Sequence, residues 1–306
     1  MLIGERHFPF RIHERGLPFL RKNIDLFRKC FALNRFFAFI RLSFLQHRQS
    51  GNRGEVPQSA RIASYMPSPW VIAHRGASGH APENTLAAFQ RAVELGATFI
   101  ETDLHLTRDG RFVAIHDDRL DRTTNFSGSV RDFTLEELRG ADAGKWFDRE
   151  FEGERVPTLE EILEFSRKQD VVFYLELKGG AAWGMDHAFV RTLQTAENAA
   201  RTIVISFDPS VLAPLRRLDP SIMLGLLVKE THADCIRAAI NLGARQLCPK
   251  FTDVTPEFVE EAHRSELQIA TWTVNQAEEM RKMISAGVDG IMTDFPDRLR
   301  TAIEDS

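Results

Sequence analysis

Glu101 and Asp103 stand two residues apart in the apolar run Thr98–Asp103, and Glu176 and Lys178 stand two apart where the run Val171–Leu177 ends. Residues two apart on a strand point to the same face. If both runs are strands, each pair projects together near a strand's C-terminal end. Three carboxylates converging there repel one another unless something neutralises them. A hard divalent cation does so, and Mg2+ or Ca2+ prefers oxygen ligands of this kind. His74-Arg75-Gly76 closes another apolar run, Trp70–His74. It adds an imidazole, a guanidinium suited to phosphate oxygens and a glycine that lets the backbone approach closely. A second imidazole, His116, ends the run Phe112–His116. A carboxylate-bound cation with Arg75, Lys178 and two imidazoles is what phosphodiester hydrolysis would use. The cationic groups stabilise developing charge, and the imidazoles move protons near neutral pH.

The link Thr107-Arg108-Asp109-Gly110 between Asp103 and Phe112 is too short for a parallel crossover, which needs a dozen or more residues, and Asp-Gly between apolar runs signals a hairpin. With Asp109-Gly110 as a two-residue loop, paired positions sum to 219, which sets Asp103 opposite His116. Their Cβ atoms would then lie about 4.5–5.5 Å apart. Taken singly, each piece has a bland reading: Glu-x-Asp as surface charge, a strand-end His as structural, Glu176 and Lys178 as an ion pair. Asp117 and Asp118 read as caps of the segment that follows, and Asp294 as a turn or helix cap. Trp272 walls a substrate pocket or fills the core, and the polar Asn275 that follows favours the pocket. Joint placement at strand ends raises the chemical reading above the bland one.

The elements that must hold these residues alternate. Strands are predicted at Trp70–His74, Thr98–Asp103, Val171–Leu177, Thr202–Ser206, Ile222–Val228, Arg245–Cys248, Gln268–Val274 and Gly290–Thr293. The helices that follow are Asn84–Leu95, Thr158–Lys168, Met185–Ala199, Pro209–Leu218, His232–Leu242, Pro256–Arg264, Gln276–Ala286 and Pro296–Glu304. Asp208-Pro209 and Thr255-Pro256 are helix-start signals, and Gly96, Gly243 and Gly287 fit C-terminal caps. Strand-helix alternation of this kind gives a parallel sheet, and eight units match an α/β fold of the (β/α)8 TIM-barrel class. No G-x-G-x-x-G follows the first strand, which disfavours a doubly wound open sheet. Residues 117–157 form a loop-rich insertion after the second strand, over the end where barrel active sites lie.

Composition divides the 306 residues. Apolar residues make up 43% and charged residues 27%, an ordinary globular balance. Residues 1–66 hold 12 basic and 4 acidic side chains, and residues 67–306 hold 27 and 39. The acidic body argues against nucleic-acid binding. The basic, Phe-rich stretch 1–66 is expected to be a poorly ordered extension and linker, with weak membrane-surface contact as the functional alternative. Its apolar part Phe31–Leu45 carries Arg35 and Arg41 and is too short and charged to span a bilayer. Met66-Pro67-Ser68-Pro69 directly precedes the first strand and reads as an alternative start. Cys30, Cys235 and Cys248 form neither a disulfide framework nor a C-x-x-C site, so a reducing, cytoplasmic setting is expected.

Read together, His74-Arg75-Gly76, Pro82-Glu83-Asn84-Thr85, Glu101-Thr102-Asp103, Thr107-Arg108-Asp109-Gly110 and His116-Asp117 resemble the glycerophosphodiester phosphodiesterase family. Asp121-Arg122-Thr123-Thr124, Pro157-Thr158-Leu159-Glu160-Glu161, Glu176-Leu177-Lys178, Trp272-Thr273-Val274-Asn275 and Asp289-Gly290-Ile291-Met292-Thr293-Asp294 continue the resemblance. It covers about residues 70–300. It implies a barrel with an insertion after strand two and one divalent cation, Mg2+ or Ca2+, held by Glu101, Asp103 and Glu176. It implies His74 and His116 as the acid/base pair, with Arg75 and Lys178 near the phosphate. The implied reaction, in lipid and glycerol metabolism, hydrolyses glycerophosphodiesters to glycerol 3-phosphate and an alcohol. The alternatives are lysophospholipid headgroup release at a membrane surface, or a non-catalytic barrel that binds phosphorylated headgroups. Headgroup, preferred cation and oligomeric state are not set by the sequence.

Overall fold

The computed structural model describes residues 68–179, 186–196 and 198–306, so the expectations for residues 1–66 and for the helix start at Met185 lie outside the described residues. Nine strands form one sheet: β1 Trp70–Ala73, β2 Phe99–Leu106, β3 Phe112–Ala114, β4 Val172–Leu177, β5 Thr202–Ser206, β6 Met223–Val228, β7 Gln246–Pro249, β8 Gln268–Thr271 and β9 Gly290–Thr293. Eight are parallel in the order β1-β9-β8-β7-β6-β5-β4-β2, and the pairing of β1 with β2 closes the ring. The chain is a (β/α)8 barrel, with β3 an antiparallel arm on β2. The helices are α1 Leu86–Glu94, α2 Leu135–Leu138, α3 Leu159–Gln169, α4 Asp186–Thr195, α5 Pro209–Leu218, α6 Ala233–Leu242, α7 Pro256–Arg264, α8 Ala277–Ala286 and α9 Pro296–Glu304.

The period-2 alternation of each strand divides two environments. On β4, Phe173, Leu175 and Leu177 face outward into the layer under the helices, and Tyr174 faces the lumen. On β2, Ile100, Leu104 and Leu106 face outward. Lumen positions low in the barrel are apolar: Ile72, Tyr174, Ile203, Ile205, Leu227 and Met292, with Trp70 and Phe99 against them. The same row of lumen positions turns charged toward the C-terminal end, at Glu101, Asp103 and Glu176. The fold thus fills its lower lumen with packing and reserves the upper lumen for polar groups.

Local signals set the helix starts. Thr85 caps α1 by accepting from Ala88 N, and Thr158 with Glu161 forms a capping box on α3. Asp208 and Thr255 cap α5 and α7 ahead of Pro209 and Pro256. Gly243 and Gly287 end α6 and α8 in the left-handed region. α1 starts two residues later than expected because Asn84 takes a φ of 59° outside the helix. β8 ends at Thr271, so Trp272 lies beyond it as an isolated bridge partner of Lys250.

The hairpin register differs from the expectation. Leu104 pairs with Ala114, His105 with Val113 and Leu106 with Phe112, a sum of 218 rather than 219. Thr107 N donates to Arg111 O, Gly110 N donates to Thr107 O, and Gly110 has a φ of 72°. The loop is therefore three residues long with Gly110 in the left-handed position, the next most common hairpin geometry. Asp103 consequently faces Ile115, whose N donates to Asp103 O, and not His116. The insertion has its own small core of Val113, Ile115, Leu120, Val130, Leu138, Ala143 and Val156.

Two outcomes test this packing. Phe173 is fully buried with its ring 5.2 Å from that of Phe89, so Phe173→Ala should lower stability by about 3–5 kcal/mol in urea unfolding. At the other end of the barrel, His263 Nε2 lies 2.8 Å from Asp289 Oδ2, a hydrogen bond that raises the imidazole pKa. A raised folded pKa gives stability that is complete below the ordinary value of about 6.5 and fades as pH rises through the folded value. The urea midpoint of the parent should fall over that window more steeply than that of His263→Gln.

Candidate active site

Glu101 and Asp103 rise from β2, and Glu176 rises beside them because Asp103 and Glu176 are register partners on neighbouring parallel strands. Each offers an oxygen within 4.8 Å of the others, and all three are buried. Like charges this close raise each other's proton affinity. Burial, with Asp103 and Glu176 nearby, pushes Glu101 well above the usual carboxylate range, and burial with Asp103 pushes Glu176 up to about 7. Burial pushes Asp103 the same way, but Lys178 and Arg75 overrule it and hold Asp103 below the ordinary range.

The counter-charges are specific. Lys178 Nζ lies 2.7 Å from Glu176 Oε1 and 3.0 Å from Asp103 Oδ1. Arg75 donates its backbone N to Glu101 Oε2 at 2.9 Å, and its Nε lies 3.3 Å from Asp103 Oδ2. Asn84 Nδ2 donates to Asp103 Oδ2 at 2.9 Å, while its Oδ1 accepts from Thr102 Oγ1 and Asp103 N. The unusual φ of Asn84 is what aims the amide at β2. Two cationic side chains against three carboxylates leave a negative excess. Glu101 Oε1 is buried with no hydrogen-bond partner among the described residues. A buried anionic oxygen without a donor is costly. An all-oxygen donor set with one such atom fits a hard divalent cation, Mg2+ or Ca2+.

Each imidazole is held at Nδ1 by a carboxylate. His74 Nδ1 lies 2.6 Å from Asp294 Oδ1, and its Nε2 lies 3.9 Å from Glu101 Oε2. Asp294 also accepts from Ser78 Oγ at 2.9 Å and Asn275 Nδ2 at 2.6 Å. Burial pushes Asp294 up, but these bonds hold it down to about 2. It is therefore an anion at neutral pH and orients the His74 ring through Nδ1, which leaves Nε2 on the side of Glu101. His116 Nδ1 lies 2.7 Å from Asp117 Oδ1. Burial lowers the His116 pKa, against the pull of Asp103. His116 has left the β3 ladder, yet its carbonyl accepts from His105 Nε2 at 3.1 Å, which ties it to the lumen face of β2.

The structure brings His74, Arg75, Glu101, Asp103, Glu176 and Lys178 together by direct contacts, and His116 by charge interaction with Asp103. Gly76 allows a close backbone approach: a Cβ there would sit 2.6 Å from the backbone of Ala88. Trp272 donates Nε1 to Cys248 O at 2.8 Å and meets the edge of Phe207 at 5.3 Å. It is half-buried and packs against the lumen cluster. No hydrogen bond or ion pair among the described residues joins it to the carboxylates. Asp294 is not the cap of α9, since Phe295 occupies that position. Sequence reasoning passed over Asp294, Ser78, Asn275, Asn84 and Asp117 as partners. Asn84 precedes a helix by two residues and Asp294 follows a strand by one, and that position at a strand's C-terminal end was the available signal.

A family model described as the glycerophosphoryl diester phosphodiesterase family matches residues 74–298. A glycerophosphodiester phosphodiesterase of Caldanaerobacter subterraneus subsp. tengcongensis is 42% identical over 231 residues, covering 75% of this chain and 95% of the relative. One from Bacillus subtilis is 33% identical over 263 residues, covering 79% of this chain and 89% of the relative. Among solved structures, an Oleispira antarctica phosphodiesterase in complex with the product sn-glycerol-3-phosphate superposes with a TM-score of 0.72 at 29% identity, covering 78% of this chain and 97% of its own.

The donor set makes a prediction that needs no substrate. Mg2+ or Ca2+ at about 100 times its dissociation constant should stabilise the chelator-treated protein by about 2.7 kcal/mol, read as a rise in Tm. Glu101→Gln should abolish that rise. An equal rise in the variant would remove Glu101 from the cation site.

Proposed function

The chain belongs to the glycerophosphoryl diester phosphodiesterase family, and from that premise we propose that this barrel hydrolyses glycerophosphodiesters to glycerol 3-phosphate and an alcohol by His acid/base catalysis beside a carboxylate-bound divalent cation. The enzyme class follows from the family. The metal dependence and the residue roles are our reading. The observation that carries it is the cluster of Glu101, Asp103 and Glu176 within 4.8 Å, flanked by imidazoles that are each held at Nδ1 by a carboxylate.

Glu101, Asp103 and Glu176 would hold one Mg2+ or Ca2+, which when bound polarises a phosphoryl oxygen and offsets its charge. Arg75 and Lys178, already drawn to the cluster by Asp103, supply donors to the other phosphate oxygens. His74 presents its Nε2 on the Glu101 side and exchanges a proton there. His116 works from the insertion side. One imidazole takes the proton of the attacking hydroxyl, and the other returns a proton to the leaving alkoxide. The attacking hydroxyl belongs to water or to the glycerol moiety, and the same pair serves either route. Trp272 and Phe207 form the wall proposed for the leaving alcohol.

The two described cysteines, Cys235 and Cys248, are free, which supports a reducing, cytoplasmic setting. Among the described residues no helix is long and apolar enough to cross a membrane. The test is product formation. Purified protein incubated with glycerophosphodiesters of several headgroups should release glycerol 3-phosphate, lose that activity to chelator and regain it with Mg2+ or Ca2+. His116→Ala should lower turnover by about 100-fold or more. Full activity after exhaustive chelation would end the metal reading. Near-normal turnover in folded His116→Ala would remove His116 from the reaction.

A further inference from the structure

Arg122 belongs to the insertion and touches neither the carboxylate cluster nor an imidazole. Its guanidinium nevertheless binds two carboxylates from different parts of the chain. Nε donates to Asp117 Oδ2 at 2.7 Å and Nη2 to Asp117 Oδ1 at 3.1 Å. Nη2 also donates to Glu83 Oε1 at 2.8 Å, and Nη1 donates to Glu83 Oε2 at 2.9 Å. Both contacts are two-bond forks, a geometry that a guanidinium offers and an ammonium does not.

Each carboxylate passes the constraint on. Asp117 Oδ1 is the oxygen that meets His116 Nδ1 at 2.7 Å. Glu83 Oε1 is the oxygen that accepts from Arg75 Nη1 at 2.9 Å. From these contacts we infer that Arg122 is a positioning residue for two separate parts of the site, orienting the His116 imidazole through Asp117 and the Arg75 guanidinium through Glu83. Glu83 lies in the loop before α1, Asp117 lies at the start of the insertion, and no other side chain among the described residues bonds to both. Without the guanidinium, two anions would face each other across its place and move apart, turning His116 and Arg75 with them. The His74 side needs no such cation, because Asp294 is held by Ser78 and Asn275.

The inference rests on the hydrolase reading above. It predicts how effects divide between turnover and binding. Asp117→Asn should lower kcat about tenfold or more and leave the inhibition constant for glycerol 3-phosphate within about threefold, since it touches only the His116 arm. Glu83→Gln should weaken glycerol 3-phosphate about tenfold with a smaller effect on kcat. Arg122→Ala should do both, and Arg122→Lys should recover less than half of the loss on a logarithmic scale. In a His116→Ala background, Arg122→Ala should lower kcat only by the smaller factor of Glu83→Gln and should still weaken glycerol 3-phosphate. Arg122 is 43% exposed, so the Tm of its variants should stay within a few degrees of the parent.

All assays use the full chain with saturating Mg2+ or Ca2+. Arg122→Ala within twofold of the parent in both kcat and inhibition constant would overturn the inference, as would an equal kcat loss on both backgrounds. A Tm collapse with parallel losses in every variant would make Arg122 a structural residue and also overturn it. An inactive parent would overturn the hydrolase reading itself, a result separate from an active parent with an unaffected Arg122 variant.

Discussion

Three carboxylates that must share one buried corner set the terms for the rest of the molecule. Their mutual repulsion is severe because the site is desolvated, where Coulomb energies are several times larger than in water. The fold answers with groups built close by in sequence. Lys178 sits two residues after Glu176, just past the end of β4, and Arg75 sits where β1 enters its loop. Each cation contacts Asp103, which is why Asp103 alone of the three is held below its ordinary range. Glu101 and Glu176 carry the unrelieved part of the repulsion. The site is thus an incomplete neutralisation, and the incompleteness is what makes it compatible with a further cation.

The barrel makes this tolerable by keeping the charged and packed layers apart. Tyr174 and Glu176 are neighbours on one face of β4, yet Tyr174 lies in the apolar lumen and Glu176 in the polar mouth. Glu101 pairs in register with Tyr174 and Asp103 with Glu176, so the change from packing to chemistry occurs within one step along two adjacent strands. A one-residue slip between β2 and β4 would turn one strand's whole set of side chains to the other face. The outer layer of Phe173, Leu175 and Leu177 makes that slip prohibitive, because it would bury charge among Phe89, Leu159 and Leu163. Core packing on one side of the strand fixes the geometry of the carboxylate cluster on the other.

Much of this was legible in the chain itself. Alternation placed Glu101 with Asp103 and Glu176 with Lys178, because face selection needs only a period of two. Strand-helix alternation placed all of them at one end of a ring, and Thr158, Asp208, Thr255, Gly243 and Gly287 marked helix ends by local chemistry. Register in the hairpin was not legible, since Asp109-Gly110 suits either a two-residue loop or the last part of a three-residue loop, and the backbone of Arg111 decides between them. The partners of the imidazoles were also hidden. Asp294 lies 220 residues from His74, and a contact of that separation follows from ring closure, not from any local pattern. Residues 1–66, where the charge asymmetry of the sequence was strongest, lie outside the described residues.

The departure from eightfold alternation has a mechanical reason. His74 is held by Asp294, Ser78 and Asn275, from or beside the ends of β9, β1 and β8, so the barrel alone fixes it. His116 has no such neighbours. His105 stands on the lumen face of β2 but gives its Nε2 to the carbonyl of His116, and the His116 imidazole comes in on a segment that leaves β2, turns back and passes over the strand ends, which is the path of β3 and the first residues of the insertion. Once off the ladder, that segment has no sheet to hold it. His105 therefore ties its backbone, and Asp117 with Arg122 ties its side chain. The small core of Val113, Ile115, Leu120 and Val130 then fixes the segment from below. The arm and the insertion thus bring an imidazole with its own set of partners to the Asp103 side of the cluster, while the barrel's own strand ends hold His74.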